Sequence, residues 1–157
     1  MQYKSEQAED KKPVDTKVFL ERAARYCAGA EHCPADVEQL LTRLNASPLQ
    51  IDEVIGILKE QVYLDEARYC RAFVHDKVAF QSWGRMKIIM NLRAKHLPEA
   101  DIQDAICGIE ERTYSANLRK AIQSKRGLDR QKLTRFILQR GYTFDDLRHY
   151  ANYETDD

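Results

Sequence analysis

YLDEARYCRAFVHDKVAFQSWGRMKIIMNLRAKHLPEADIQDAI, residues 63–106, is the stretch whose reading decides the fold. It reads as three short helices. Asp65 is placed to cap the first, in which Cys70, Phe73, Val74 and Val78 recur at three- and four-residue steps, one apolar stripe on a 3.6-residue period. Ser82-Trp83-Gly84 interrupts that period. The second helix presents Ile88, Ile89 and Leu92, with Arg85, Lys87, Arg93 and Lys95 mostly outside the stripe. Pro98 suits the first turn of a third helix, where its missing N–H is no loss, and Ile102, Ala105, Ile106 and Ile109 mark that helix's apolar face.

Upstream, the spacing predicts a helix over 16–28 with Phe19, Ala23, Tyr26 and Cys27 on one side, and a second over 34–45 with Val37, Leu40, Leu41 and Leu44 at the helical period. Ser47-Pro48-Leu49-Gln50 has the form of a capping box, opening a third helix that buries Ile51, Val54, Ile55 and Leu58. Downstream, a seventh helix over 114–125 turns Leu118, Ala121 and Ile122 inward and is broken at Gly127. An eighth over 129–140 turns Leu133, Phe136 and Ile137 inward, with Gly141 placed as its terminator. Thr143 to Asp146 can cap a ninth, carrying Phe144, Leu147, Tyr150 and Ala151. No strand pattern is evident.

The nine helices fall into three groups with a common register. Val37, Ile88 and Leu133 anchor the second helix of each group; Leu41, Leu92 and Ile137 follow four residues later, and Ile51, Ile102 and Leu147 fourteen residues after each anchor. The separations between anchors differ, 51 and then 45, as expected of a repeat with fixed helix geometry and variable linkers. The expected fold is therefore all-α: three tandem three-helix repeats forming an elongated, curved array. Its expected organisation is a disordered arm at 1–15, repeats at 16–62, 63–111 and 112–152, and an acidic tail at 153–157. Modest contact between units is expected, with bending at linkers near 63, 80 and 112.

The chain's 25 basic and 25 acidic residues cancel, but unevenly. Residues 1–62 carry a formal −3, residues 63–140 carry +7, and residues 141–157 carry −4. Residues 112–140 hold nine Lys or Arg against one acid, Asp129. Such a block reads either as a solvated helix face or as a contact for an acidic partner or a phosphate backbone. No apolar run approaches the roughly 20 residues that span a bilayer, and the polar beginning of the chain lacks the apolar core of a secretory signal. A cytoplasmic protein is the expectation, with Cys27, Cys33, Cys70 and Cys107 as reduced thiols. No CxxC pair, ligand-spaced histidines (His32, His75, His96, His149), phosphate-binding loop or nucleophile elbow is present, so no metal, cofactor or enzymatic chemistry is expected. Trp83 reads as an interhelix wedge on Phe73, Phe80 or Ile88, or else as a partner-facing anchor. Gly84 reads as a point of close helix approach, and Tyr63, Tyr69 and Phe73 as core or half-core.

Two segments carry a family resemblance. Tyr63-Leu64-Asp65-Glu66-Ala67-Arg68-Tyr69, then Ala72-Phe73-Val74, Trp83-Gly84-Arg85 and Lys87-Ile88, resembles the signature of the RecX regulatory proteins of bacteria. Lys132-Leu133-Thr134-Arg135-Phe136-Ile137-Leu138-Gln139-Arg140-Gly141-Tyr142 resembles that family's Lys-x-x-Arg-Phe-Leu-x-x-Arg-Gly-Phe run. The resemblance covers about residues 16–152. It departs at Lys95-His96-Leu97, where Lys-Gly-Ile is more usual, and at Asn45-Ala46-Ser47, where a glycine often closes the helix. What it implies is a non-enzymatic modulator of the RecA recombinase, acting in DNA repair and the SOS response. Such proteins lie along the groove of the RecA–DNA filament, inhibit strand exchange and the coupled ATP hydrolysis, and promote disassembly.

On that reading the expected partner is the RecA filament, with DNA as a further contact, and the protein acts as a monomer away from membranes. The residues expected to touch filament or DNA are the basic ones: Arg68, Arg71, Arg85, Lys87, Arg93 and Lys95 in the second unit, and Lys125, Arg126, Arg130, Lys132, Arg135 and Arg140 in the third. The competing reading is a helix-turn-helix DNA-binding protein, with one unit's third helix in the major groove. Against it, the third helix of the middle unit carries Glu99, Asp101 and Asp104 and no cation.

Overall fold

A computed structural model describes residues 12–151 of the chain. Among them, α1 (Thr16–Gly29), α2 (Pro34–Arg43), α3 (Pro48–Glu60), α4 (Glu66–Gln81), α5 (Arg85–Ala94), α6 (Glu99–Cys107), α7 (Glu111–Ser124), α8 (Arg130–Gln139) and α9 (Phe144–Ala151) follow in order, with no strand. No described helix is long and apolar enough to cross a membrane. The expected acidic tail lies outside the described residues, as does the expected arm apart from 12–15, where the Val14 carbonyl accepts from the Gln50 amide at 2.9 Å.

Side chains that take up orphan N–H groups set the helix starts. Asp15, Asp65 and Asp129 accept from Lys17, Arg68 and Lys132 N–H at 3.0, 2.9 and 2.9 Å. Ser47 with Gln50, and Thr143 with Asp146, form reciprocal capping boxes. Pro98 is the N-cap of α6 and not part of its first turn, and α6 stops at Cys107, so Ile109 is buried from the connection beyond it. Helix α7 begins at Glu111, earlier than its apolar spacing indicated, which puts Tyr114 in its first turn.

The second helix of every repeat ends the same way. Asn45, His96 and Gly141, each eight residues past its repeat's anchor, adopt φ of 63°, 58° and 98°. Their N–H groups return to Thr42, Arg93 and Leu138 at 3.0, 2.9 and 3.0 Å. The next residue's N–H reaches back to Leu41, Leu92 and Ile137 at 3.0, 3.4 and 3.4 Å, completing a Schellman terminator in all three copies. The two departures from the family pattern therefore sit at left-handed positions, one filled by Asn, which tolerates this region, and one by His. Val62, after α3, is the harder case: it is β-branched at φ 61°.

In each repeat the first and third helices make the most extensive contact, as α1 with α3, α4 with α6 and α7 with α9. Leu41, Leu92 and Ile137 are wholly buried, and Ile51, Ile102 and Leu147 nearly so, as the register requires. Repeat 1 has a core of its own, built on Phe19, Val37, Leu41, Val54 and Leu58. Repeats 2 and 3 share one continuous core running from Tyr69 and Ile88 through Tyr114 and Leu118 to Ile137 and Leu147, and repeat 1 adds Cys33 to it.

The expectation of modest contact and of bending near 80 and 112 is thus corrected. Gly84 N–H donates to the Arg140 carbonyl at 2.7 Å, Met86 N–H to the Gly141 carbonyl at 3.0 Å, and the Tyr142 hydroxyl to the Ser82 carbonyl at 2.7 Å. A Cβ on Gly84 would lie 2.1 Å from the Gly141 carbonyl carbon, so the two backbones touch where only glycine fits. Near 112 the connection is only residues 108–110, and it is pinned by buried Ile109. Trp83 is the wedge, half-buried and edge-on to Phe73 at 6.3 Å. Phe80, by contrast, is 77% exposed, and Tyr63 and Phe144 are also exposed rather than core. Phe144 is the first residue of α9 and points off the end of the packed face.

His96→Gly and Val62→Gly relieve left-handed backbone at exposed side chains, and each should raise stability by about 0.5–1 kcal/mol, read as a higher urea midpoint at unchanged slope. Asn45→Gly should change little; equal gains at all three sites would contradict the account. Gly84→Ala should cost about 2–3 kcal/mol or more, since its Cβ meets backbone that cannot rotate away.

Candidate macromolecular interface

Six of the twelve basic residues picked out by charge meet a carbonyl, a carboxylate or a ring of the fold, five of them half-buried and Arg93 exposed. Arg68 reaches across the first inter-repeat boundary: its Nε donates to Glu31 at 2.6 Å and its two terminal nitrogens to the Val62 carbonyl at 3.2 Å. Lys95 pairs with Asp36 of repeat 1 at 2.8 Å. Burial alone would push the Asp36 carboxyl up, but the Lys95 ammonium and the Cys33 N–H outweigh it and hold Asp36 below the usual carboxylate range. Arg85 lies 3.9 Å over the Tyr114 ring, pairs with Glu111 at 2.6 Å and faces Asp146 at 3.9 Å. Its N–H donates to the Tyr114 hydroxyl, which donates to Asp146 at 3.1 Å. Arg140 donates to the Gln81 carbonyl across the second boundary. Lys87 lies 4.3 Å from the Trp83 ring centre, and Arg93 pairs with Glu99 on the same repeat.

The other six are exposed. Arg71 on α4 borders an open groove of about 440 Å³ shared with Asp104 and Glu110, whose carboxylates offset its charge. Lys125, Arg126, Arg130, Lys132 and Arg135 lie together on the α7–α8 turn and the outer side of α8. Lys132 meets Asp129 at 3.8 Å, and both side chains are more than half exposed, so that pair screens little. Charge spacing did not single out Lys120, which stands exposed on α7 beside Arg140 in a cleft between α7 and α8. Its position follows from the packing of α7 on α8, which a residue list does not display.

Burial pushes the Cys33 thiol up and the Cys70 thiol up to about 11, so both stay protonated near neutral pH, and burial raises the Tyr69 and Tyr142 hydroxyls to about 12. No grouping of three or more His, Cys, Asp or Glu suited to a metal occurs among the described residues. What the surface offers is a group of guanidinium and ammonium side chains on the α7–α8 turn and α8, suited to binding anions.

Because the Asp36 carboxyl is held below its unfolded value, its stabilisation is present above about pH 4 and is lost as pH falls through its folded value. Asp36→Asn should cost about 1–3 kcal/mol at pH 7, because the amide keeps one acceptor oxygen and turns an NH2 toward either the Lys95 ammonium or the Cys33 N–H. That difference should shrink toward zero in urea titrations below about pH 3. A difference independent of pH would contradict the pairing.

Residues 65–106 match the family described as "RecX, second three-helix domain", the stretch that holds α4 to α6. A "Regulatory protein RecX" from Pseudomonas savastanoi pv. phaseolicola is 31% identical over 142 residues, covering 84% of this chain and 89% of that protein. One from Vibrio parahaemolyticus is 26% identical over 153 residues, covering 94% and 98%. The crystal structure of RecX from Lactobacillus salivarius superposes with a TM-score of 0.74 at 16% identity, covering 87% of this chain and 94% of that one, and so shares the fold. With its three-copy register and paired cores, the chain belongs to the RecX family of regulatory proteins.

Proposed function

We propose that this protein is a non-enzymatic regulator that docks on the RecA–DNA filament and inhibits recombinase and coupled ATPase activity, acting as a cytoplasmic monomer in recombination and repair. Family membership carries the choice of partner. The observation that carries the choice of surface is the cluster of exposed cations Lys125, Arg126, Arg130, Lys132 and Arg135 on repeat 3. Held on a body whose second and third repeats share one core, these charges keep a fixed spacing. That suits a polymer that repeats acidic protein surface and DNA phosphate along its length. Among the other residues of the basic set, Arg71 lies on α4 beside Asp104 and Glu110, and Lys87 stands over Trp83. Arg68, Lys95 and Arg140 make contacts between repeats, Arg85 engages Glu111 and Asp146, and Arg93 pairs with Glu99 within repeat 2.

The helix-turn-helix alternative is disfavoured by α6. Its Ile102, Ala105 and Ile106 are buried, and its outward side chains include Glu99 and Asp104, which a phosphate backbone repels.

Titrating the protein into a RecA ATPase assay on single-stranded DNA should give inhibition. The combined variant Arg126→Glu, Lys132→Glu and Arg135→Glu should need at least about tenfold more protein for the same inhibition. Those side chains are exposed, so helix content by circular dichroism should be unchanged. Full inhibition by the folded variant would remove this surface from the account. Steeply salt-dependent, sequence-selective binding to bare duplex would favour the alternative.

A further inference from the structure

Between α7, α8 and the end of α4 lies a cleft of about 230 Å³ that none of the contacts described so far requires. Its walls are Ser82, Asn117, Lys120, Ser124, Phe136 and Arg140, and no carboxylate lines it. Asn117 donates one amide proton to the Val78 carbonyl at 2.9 Å, and Ser124 its hydroxyl to the Ala121 carbonyl at 2.7 Å. Both are thereby fixed as walls. The charged groups of the lining are both cations, Lys120 and Arg140. Lys120 is exposed on α7. Arg140 is anchored by its bond to Gln81 and by its stand over Phe136, 5.8 Å from the ring centre, while its Nε is buried with no hydrogen-bond partner among the described residues. Lys125 adds a third cation 5.1 Å from the same ring. Native proteins leave few buried donors unpaired, and each calls for an explanation.

We propose that this cleft binds a phosphate group, seated between Lys120 and Arg140 with the Phe136 ring as an apolar wall beside it. Two cations with no acid beside them select an anion, and a guanidinium next to an ammonium favours a phosphate or carboxylate oxygen. The volume is below the roughly 300 Å³ at which whole small-molecule sites begin, so the cleft suits one group of a larger ligand. The aromatic wall suits the sugar or base attached to that group. The source we assign is the backbone of single-stranded nucleic acid. That assignment rests on the filament reading above, whereas the phosphate chemistry rests on the cleft alone.

The test follows the Arg140 Nε–H resonance of the full chain by NMR, titrated with a short oligothymidylate and, separately, with inorganic phosphate. The expected result is a saturable shift with the oligothymidylate that is lost in Lys120→Glu. Ser124→Leu, which fills the cleft without changing charge, should lose it too. The oligothymidylate affinity should fall about tenfold in either variant, and the salt dependence of log K should fall by about one in Lys120→Glu. A shift with inorganic phosphate alone would uphold the phosphate chemistry and overturn the nucleic-acid source. An Arg140 signal that neither ligand moves, or that moves equally in Lys120→Glu, would overturn the site. The Arg126, Lys132 and Arg135 charge-reversal variant leaves the cleft walls intact and should keep the shift. Failure of the cleft is therefore read separately from failure of the filament surface.

Discussion

The contact between the backbones of Gly84 and Gly141 is the constraint on which the arrangement of this protein depends. Each glycine closes on the other's peptide group at a distance no side chain allows, and two N–H groups from the start of α5 terminate on the carbonyls at the end of α8. Everything around that point reinforces it. Tyr142 and Arg140 hold the carbonyls of Ser82 and Gln81, and Tyr114 links the Arg85 N–H to Asp146. An array of three small bundles would ordinarily flex at each junction. Here the second and third bundles have been made into one piece, with a core that crosses the boundary.

The first junction is built on a different principle. Repeat 1 has a separate core and is joined to repeat 2 by Cys33, which inserts into the neighbouring core, and by three ion pairs, Arg68 with Glu31, Lys95 with Asp36 and Lys59 with Glu66. The Lys95 pair is the most sheltered of the three, and Asp36 also caps the turn that delivers Cys33, accepting from its N–H at 3.2 Å. Charged contacts of this kind specify geometry more than they add stability. The division of labour that follows is a rigid pair of repeats carrying the exposed cations and a third repeat docked by polar contacts.

The three-copy register was legible in the sequence because a helix period shared by three anchors leaves few alternatives; Leu41, Leu92 and Ile137 were placed from spacing alone and are fully buried. The helix terminators were legible in part. Gly141 announces a left-handed residue, whereas Asn45 and His96 occupy the same conformation without glycine's signature. The shared core of repeats 2 and 3 was not legible, because it arises from contacts about 60 residues apart that local periodicity does not register. The same limit applies to the basic residues. Arg68, Arg85 and Lys95 look like surface charge until their partners Glu31, Glu111 and Asp36 are brought in from elsewhere in the chain. Lys120 looks like an ordinary helix residue until α8 sets Arg140 beside it.

Rigidity at the second junction is the claim on which the functional reading leans, and native-state amide exchange tests it at two atoms. If repeats 2 and 3 open only together, the N–H groups of Gly84 and Met86 should exchange with the same opening free energy as core amides such as Leu118 and Ile137, and share their response to low urea. Exchange at Gly84 and Met86 several kcal/mol easier than at those core positions, with little urea dependence, would show a junction that opens locally and would contradict the account.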